Sequence, residues 1–214
     1  MKQTKITVKV YEPLLKSFNK KLETCFIKRD AFLNHMIKSE VRNLASDTKG
    51  LQLSNPARRY ISGELKRLGT KTINVVVDKD TAETLNLTIK ETNMVRDAFI
   101  NRLILFLNAS ETFLERRGIA TQINDRSLSN TESISTSPLQ GIMSIVHDPF
   151  FYLRTDLEEN HEERLYTFEL PKELVAMSCY INDANVPGTD NYIKQQGEEV
   201  EFSKIMDQIL APLE

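Results

Sequence analysis

Lys5-Ile6-Thr7-Val8-Lys9-Val10 is matched further along the chain by Thr72-Ile73-Asn74-Val75-Val76-Val77. Arg29-Asp30-Ala31-Phe32-Leu33-Asn34 is matched by Arg96-Asp97-Ala98-Phe99-Ile100-Asn101, and both matches share one 67-residue offset, as from Ile6 to Ile73. No gap separates the two matches, so residues 5–44 and 72–111 are two copies of one unit. A unit too small to bury its own apolar face stacks on its neighbour.

In the first copy, polar and apolar residues alternate with a period of two. This puts Ile6, Val8 and Val10 on one face of a half-buried strand and Lys5, Thr7 and Lys9 on the other. Pro13 suits a first helical position, and Leu15, Phe18 and Leu22 follow at helical spacing, predicting a helix over 13–24. After a break at Thr24-Cys25-Phe26, Phe32, Leu33, Met36, Ile37, Val41 and Leu44 predict a second helix over 28–45. The second copy repeats the pattern, with Asp78 as a helix cap and Asn93 between the helices, able to take the left-handed conformation of a helix stop. One strand cannot satisfy its own backbone, so the two strands are expected to pair antiparallel over four helices.

This strand-helix-helix unit, with Pro13 or Asp78 at the turn and Asp30 or Asp97 opening the second helix, resembles the ribbon-helix-helix family of Arc/MetJ/CopG type. The resemblance covers about residues 4–45 and 71–110, just under half of the chain. It implies an α+β, mostly α fold: a tandem ribbon-helix-helix pseudo-dimer, with a small C-terminal α/β module beyond it. Family members usually dimerise from one unit per chain, whereas here residues 46–71 would let the second copy fold onto the first. The domains expected are copy one over 1–46, a basic helical connector over 47–71, copy two over 72–118, a flexible linker over 119–137 and an acidic module over 138–214.

The resemblance implies double-stranded DNA as partner, with the ribbon in the major groove. Lys5, Thr7, Lys9, Thr72, Asn74 and Val76 would read bases. Phosphates would be met at the starts of the second helices, by Lys28, Arg29 and Arg96. The connector, with Ser54 or Asn55 as cap and Pro56 in its first turn, adds Arg58 and Arg59, either as a phosphate contact or as a solvated face. Asp30 and Asp97 are expected to cap or pair with arginine. The settings implied are a repressor of its own or neighbouring genes, an antitoxin-like regulator, or an accessory protein at a plasmid transfer origin. The rival is an oligomerisation scaffold that never touches DNA.

Charge divides the chain. Residues 1–71 hold 16 Lys and Arg against 6 Asp and Glu, residues 72–118 hold 6 against 7, and residues 119–214 hold 6 against 17, within a net charge of −2. A basic half suits a polyanion, and the acidic end suggests a protein partner or self-association. In that end, Leu139, Ile142, Met143 and Val146 predict a helix after Ser137-Pro138. Leu165–Leu170 predicts a strand, Pro171 a short helix, Val186–Thr189 a turn, and Val200–Leu210 a terminal helix. The run Asp156–Glu163 is read as solvated rather than as a metal site or DNA mimic. The end as a whole is either a small domain or a set of segments that fold on a partner.

Cys25 and Cys179 lie far apart in unlike segments, and His35, His147 and His161 lack ligand spacing. With no Gly-rich phosphate loop or nucleophile elbow, no enzyme, metal or cofactor is expected; an active site on His147, Asp148 and His161 is the least favoured reading. The absence of a long apolar run or signal core predicts a cytoplasmic protein with no membrane partner.

Overall fold

In the computed structural model, which describes residues 2–116 and 146–198, the repeat sets where each paired element begins. Strand β1 (Gln3–Tyr11), helix α1 (Glu12–Thr24) and helix α2 (Arg29–Asp47) start at the repeat offset from β2 (Thr70–Asp78), α4 (Lys79–Glu91) and α5 (Arg96–Leu107). Between the copies lies α3 (Asn55–Arg67); α6 (Glu111–Glu115) and α7 (Phe151–Asn160) follow, then two 3₁₀ turns, Lys172–Met177 and Asp183–Asn185. The described residues are mostly helical with one two-stranded antiparallel sheet. No helix among the described residues is long and apolar enough to cross a membrane.

The two strands of the sheet come from the same chain. Thr7 lies opposite Asn74, its own counterpart in the repeat, with Ile6 opposite Val75 and Val8 opposite Ile73. When equivalent residues of two antiparallel strands face each other, a pseudo-two-fold axis passes between them. The inward row Ile6, Val8, Val10, Ile73, Val75 and Val77 is buried. Each copy's first helix packs on the other copy's second helix, α1 on α5 and α4 on α2, so the apolar faces close on each other across the axis.

Capping follows the sequence in part. Ser54 is the cap of α3 and accepts from the Ala57 N–H at 3.1 Å. Asp78 holds the cap position of α4 but makes no cap hydrogen bond; its Oδ2 accepts from Asn34 Nδ2 instead, at 3.3 Å.

Described residues from Phe150 onward pack against the core of the two copies. Phe150, Leu157, Leu165, Tyr166, Phe168, Leu170, Met177 and Cys179 join the cluster that holds the strands and helices of both copies. Val175, Ala176, Ile181 and Val186 join Ala57, Ile61 and Leu65 of α3. The expected strand at Leu165–Leu170 is instead a turn over 165–167 followed by irregular chain. Its carbonyls have no neighbouring strand, and those of Leu165 and Phe168 each accept from Arg102 at 2.8 Å. Pro171 precedes a 3₁₀ turn, as a short helix there requires, and Val186–Gly188 turns with Gly188 at φ 84°. The expected linker, most of the Leu139–Val146 helix and the terminal helix over Val200–Leu210 lie outside the described residues.

Candidate nucleic-acid interface

Opposite the buried row, the sheet shows solvent a second row. Lys5, Thr7, Lys9, Thr72 and Asn74 are exposed and Val76 is half-buried. Across the strands they meet as Lys5 with Val76, Thr7 with Asn74 and Lys9 with Thr72. Both lysines of this row belong to β1, so within the row the β1 side is cationic and the β2 side neutral; Lys71, at the start of β2, lies outside the row. At its centre Thr7 Oγ1 donates to Asn74 Oδ1 at 2.9 Å, leaving the Asn74 amide NH2 and a second lone pair on Oδ1 for another partner.

The repeated Arg-Asp-Ala-Phe-x-Asn motif fastens the second helices to the strands in two equivalent ways. Arg29 Nη2 donates to the Asn74 carbonyl at 3.3 Å, and Arg96 Nη2 to the Thr7 carbonyl at 2.8 Å. Asp30 Oδ2 accepts from the Val76 N–H at 3.5 Å, and Asp97 accepts from the Lys9 N–H. Asn34 Oδ1 accepts from the Asp78 N–H and Asn101 Oδ1 from the Tyr11 N–H, both at 2.9 Å. From one copy to the other each helix residue moves forward by the offset and its strand partner moves back by it, as a two-fold exchange of the copies requires. The outer edges of a two-stranded ribbon have no further strand, and these side chains supply the missing partners. Asn34 and Asn101 were legible in the motif but carried no role in the sequence; a polar residue kept at one place in both second helices was the available signal.

The candidate phosphate residues differ in freedom. Lys28, at the cap of α2, is exposed and makes no side-chain cap bond. Arg29 also pairs with Asp30 at 2.7 Å. The arginines of the motif therefore stand at the ribbon's centre, where they order the backbone. Arg58 Nη1 donates to Asn93 Oδ1 at 2.8 Å and Arg59 Nε to the Asn55 carbonyl at 3.3 Å, and both remain exposed. The amides of a helix's first turn have no acceptor within the helix, so the starts of α2 and α5 carry partial positive charge on both sides of the ribbon.

The turns before α2 and α5 are equivalent in backbone but not in cover. Phe26 and Asn93 are counterparts in the repeat and both take positive φ, 58° and 54°. Asn93 is fastened to the connector through Nδ2, which donates to the Leu53 carbonyl at 2.7 Å and to Asn55 Oδ1 at 3.1 Å. Phe26 is 95% exposed.

Behind the helices, the C-terminal segment bridges both copies. Tyr166 Oη donates to Glu40 Oε2 at 2.6 Å, and Arg154 Nη1 donates to the same oxygen at 2.9 Å while also pairing with Asp148. Burial raises the Glu40 carboxyl against the pull of these donors, and it raises Asp47 and Asp97 as well. Arg102 is fully buried, its guanidinium 4.6 Å from the Phe168 ring centroid, and burial lowers its pKa. Cys179 beside it is pushed up to about 12 by burial. His35 Nε2 lies 3.1 Å from the His147 carbonyl, and His161 Nε2 lies 3.4 Å from Asp156. Among the described residues no group of three or more His, Cys, Asp and Glu is placed to hold a metal ion.

No family model, curated protein or solved structure matches the chain.

Proposed function

We propose that the chain is a single-chain tandem ribbon-helix-helix protein that binds a specific double-stranded DNA site, acting as a repressor of its own or neighbouring genes. The observation that carries this reading is the exposed Lys5, Thr7, Lys9, Thr72 and Asn74 row on a two-stranded ribbon whose opposite face is buried. A ribbon of this width fits the major groove. Lysine donates to guanine O6 and N7, asparagine pairs with adenine N6 and N7, and Val76 offers a thymine methyl an apolar contact. The first turns of α2 and α5, with Lys28 beside one of them, suit the flanking phosphates.

Because the axis relates Lys5 to Thr72 and Lys9 to Val76, the two half-sites are read by different chemistry. Randomised-site selection is expected to return a lopsided site; recovery of perfect palindromes would contradict a single-chain reader. Roughly five phosphates met at the ribbon and the two helix starts would contribute about −4 to −5 to the slope of log K against log salt. Sequencing the DNA bound in the native host, with Lys5→Ala/Lys9→Ala as comparison, tests the function itself. Discrete peaks that vanish in the variant are expected, and an absence of peaks for the unaltered chain would favour a scaffold.

A further inference from the structure

The connector helix α3 lies along one edge of the ribbon, alongside α5. Its beginning is held at the α4–α5 turn, where the Leu53 N–H donates to the Thr92 carbonyl at 3.0 Å and Arg58 reaches Asn93. Its end is held where β1 gives way to α1, by the Glu12 N–H donating to the Gly69 carbonyl at 3.0 Å. Helix α5 covers the same course, from Arg96 at the Thr7 carbonyl to Asn101 at the Tyr11 N–H. Reading across the molecule, α3 stands outside α5, which stands outside β1, the strand that carries Lys5 and Lys9.

The inner face of α3 is filled by Ala57, Ile61 and Leu65. The opposite face carries Asn55, Arg58, Arg59, Ser62, Gly63 and Lys66 side by side, all exposed but the half-buried Ser62. Arg58, Arg59, Ser62 and Lys66 can all donate to an anion, and no carboxylate stands among them on this face. Gly63 sits in the middle of the helix with φ in the ordinary range, and a Cβ there would meet nothing within 4 Å. Glycine weakens a helix interior, and among the described residues nothing packs against Gly63 to require it. It leaves the backbone open to close approach from outside. From Arg58 to Lys66 is about 12 Å along the helix, a length of duplex axis over which one strand carries about three phosphates at one per about 3.4 Å of axis.

We propose that the outer face of α3 is a second DNA contact, binding two or three phosphates of the duplex beyond the ribbon's footprint and on the β1 side alone. This rests on the DNA-binding reading and makes the complex longer at one end than at the other. The β2 edge, flanked by α2, has no counterpart to α3 among the described residues.

The test uses the full chain and a duplex carrying the site that it selects from random sequence. Arg58→Gln/Arg59→Gln/Lys66→Gln is expected to make the salt slope shallower by about 2–3 and to remove hydroxyl-radical protection at one end of the footprint, leaving the centre unchanged. Gly63→Glu is the second variant, since the site has room for the side chain and glutamate is the better helix former. It is expected to fold with a higher melting temperature and to weaken binding tenfold or more at low salt. An unchanged slope and footprint in the first variant, or unchanged binding in a folded second, overturns the α3 contact while leaving the ribbon reading intact. Failure of the unaltered chain to retain any duplex overturns both.

Discussion

Phe26 and Asn93 show what one residue does at a fixed backbone conformation. Both hold positive φ, which asparagine tolerates and a bulky side chain does not. Asn93 also uses its amide to hold the connector, whereas Phe26 projects its ring into solvent. Phe26→Asn is expected to stabilise the fold by about 1 kcal/mol, read as a higher urea midpoint at unchanged m-value. Lys20 and Leu87 are another pair at the repeat offset, and here it is the second copy that leaves an apolar side chain 60% exposed. The copies have diverged most where side chains leave the core.

At the scale of elements, the second helices owe their position to three polar residues as much as to their apolar faces. Asn101 is wholly buried; its Oδ1 takes the Tyr11 N–H while Nδ2 donates to the Lys9 and Asp97 carbonyls at 2.8 and 2.7 Å. Asn101→Ala takes this partner from the Tyr11 N–H and the Lys9 carbonyl at the strand edge and is expected to cost about 2–3 kcal/mol in denaturant unfolding. Asn34→Ala should cost less, because Asn34 is half-buried and water can replace it. The strands and paired helices were legible in the sequence because two registers had to agree, the internal period of each element and the offset between the copies. The segment Leu165–Leu170 had only its own alternation to go on. Its apolar side chains enter the core from a turn, and the donor its carbonyls find is a guanidinium 63 residues away in sequence. The six ribbon residues were readable for the same reason as the core, since a period of two that buries one row must present the other. That Arg29 and Arg96 reach strand carbonyls was not readable, because phosphate and carbonyl oxygen ask for the same donor.

At the scale of the molecule, the C-terminal segment binds the two copies together through groups that titrate. Burial holds Glu40, Asp47 and Asp97 above the ordinary carboxyl range. A folded state with raised carboxyl values keeps protons that the unfolded chain has released, so its stability is fullest below the unfolded values and falls as pH rises through the folded ones. Glu40→Gln removes the share of one of these groups. The stability of the unaltered chain minus that of Glu40→Gln is therefore expected to be greatest below the ordinary glutamate value and to decline as pH is raised above it, measured by urea unfolding at each pH. A difference that grows with pH would mean that the contacts from Arg154 and Tyr166 outweigh burial.

Pairing Thr7 with Asn74 inside one chain also changes how the protein answers to its own abundance. A ribbon assembled from two molecules disappears on dilution, since the population of dimers falls with the square of the monomer concentration. Here both strands arrive together, and a cell holding a handful of copies has as many complete ribbons as chains. Occupancy of a DNA site by such a molecule would rise with the first power of its concentration, giving a graded response where an assembling dimer gives a threshold.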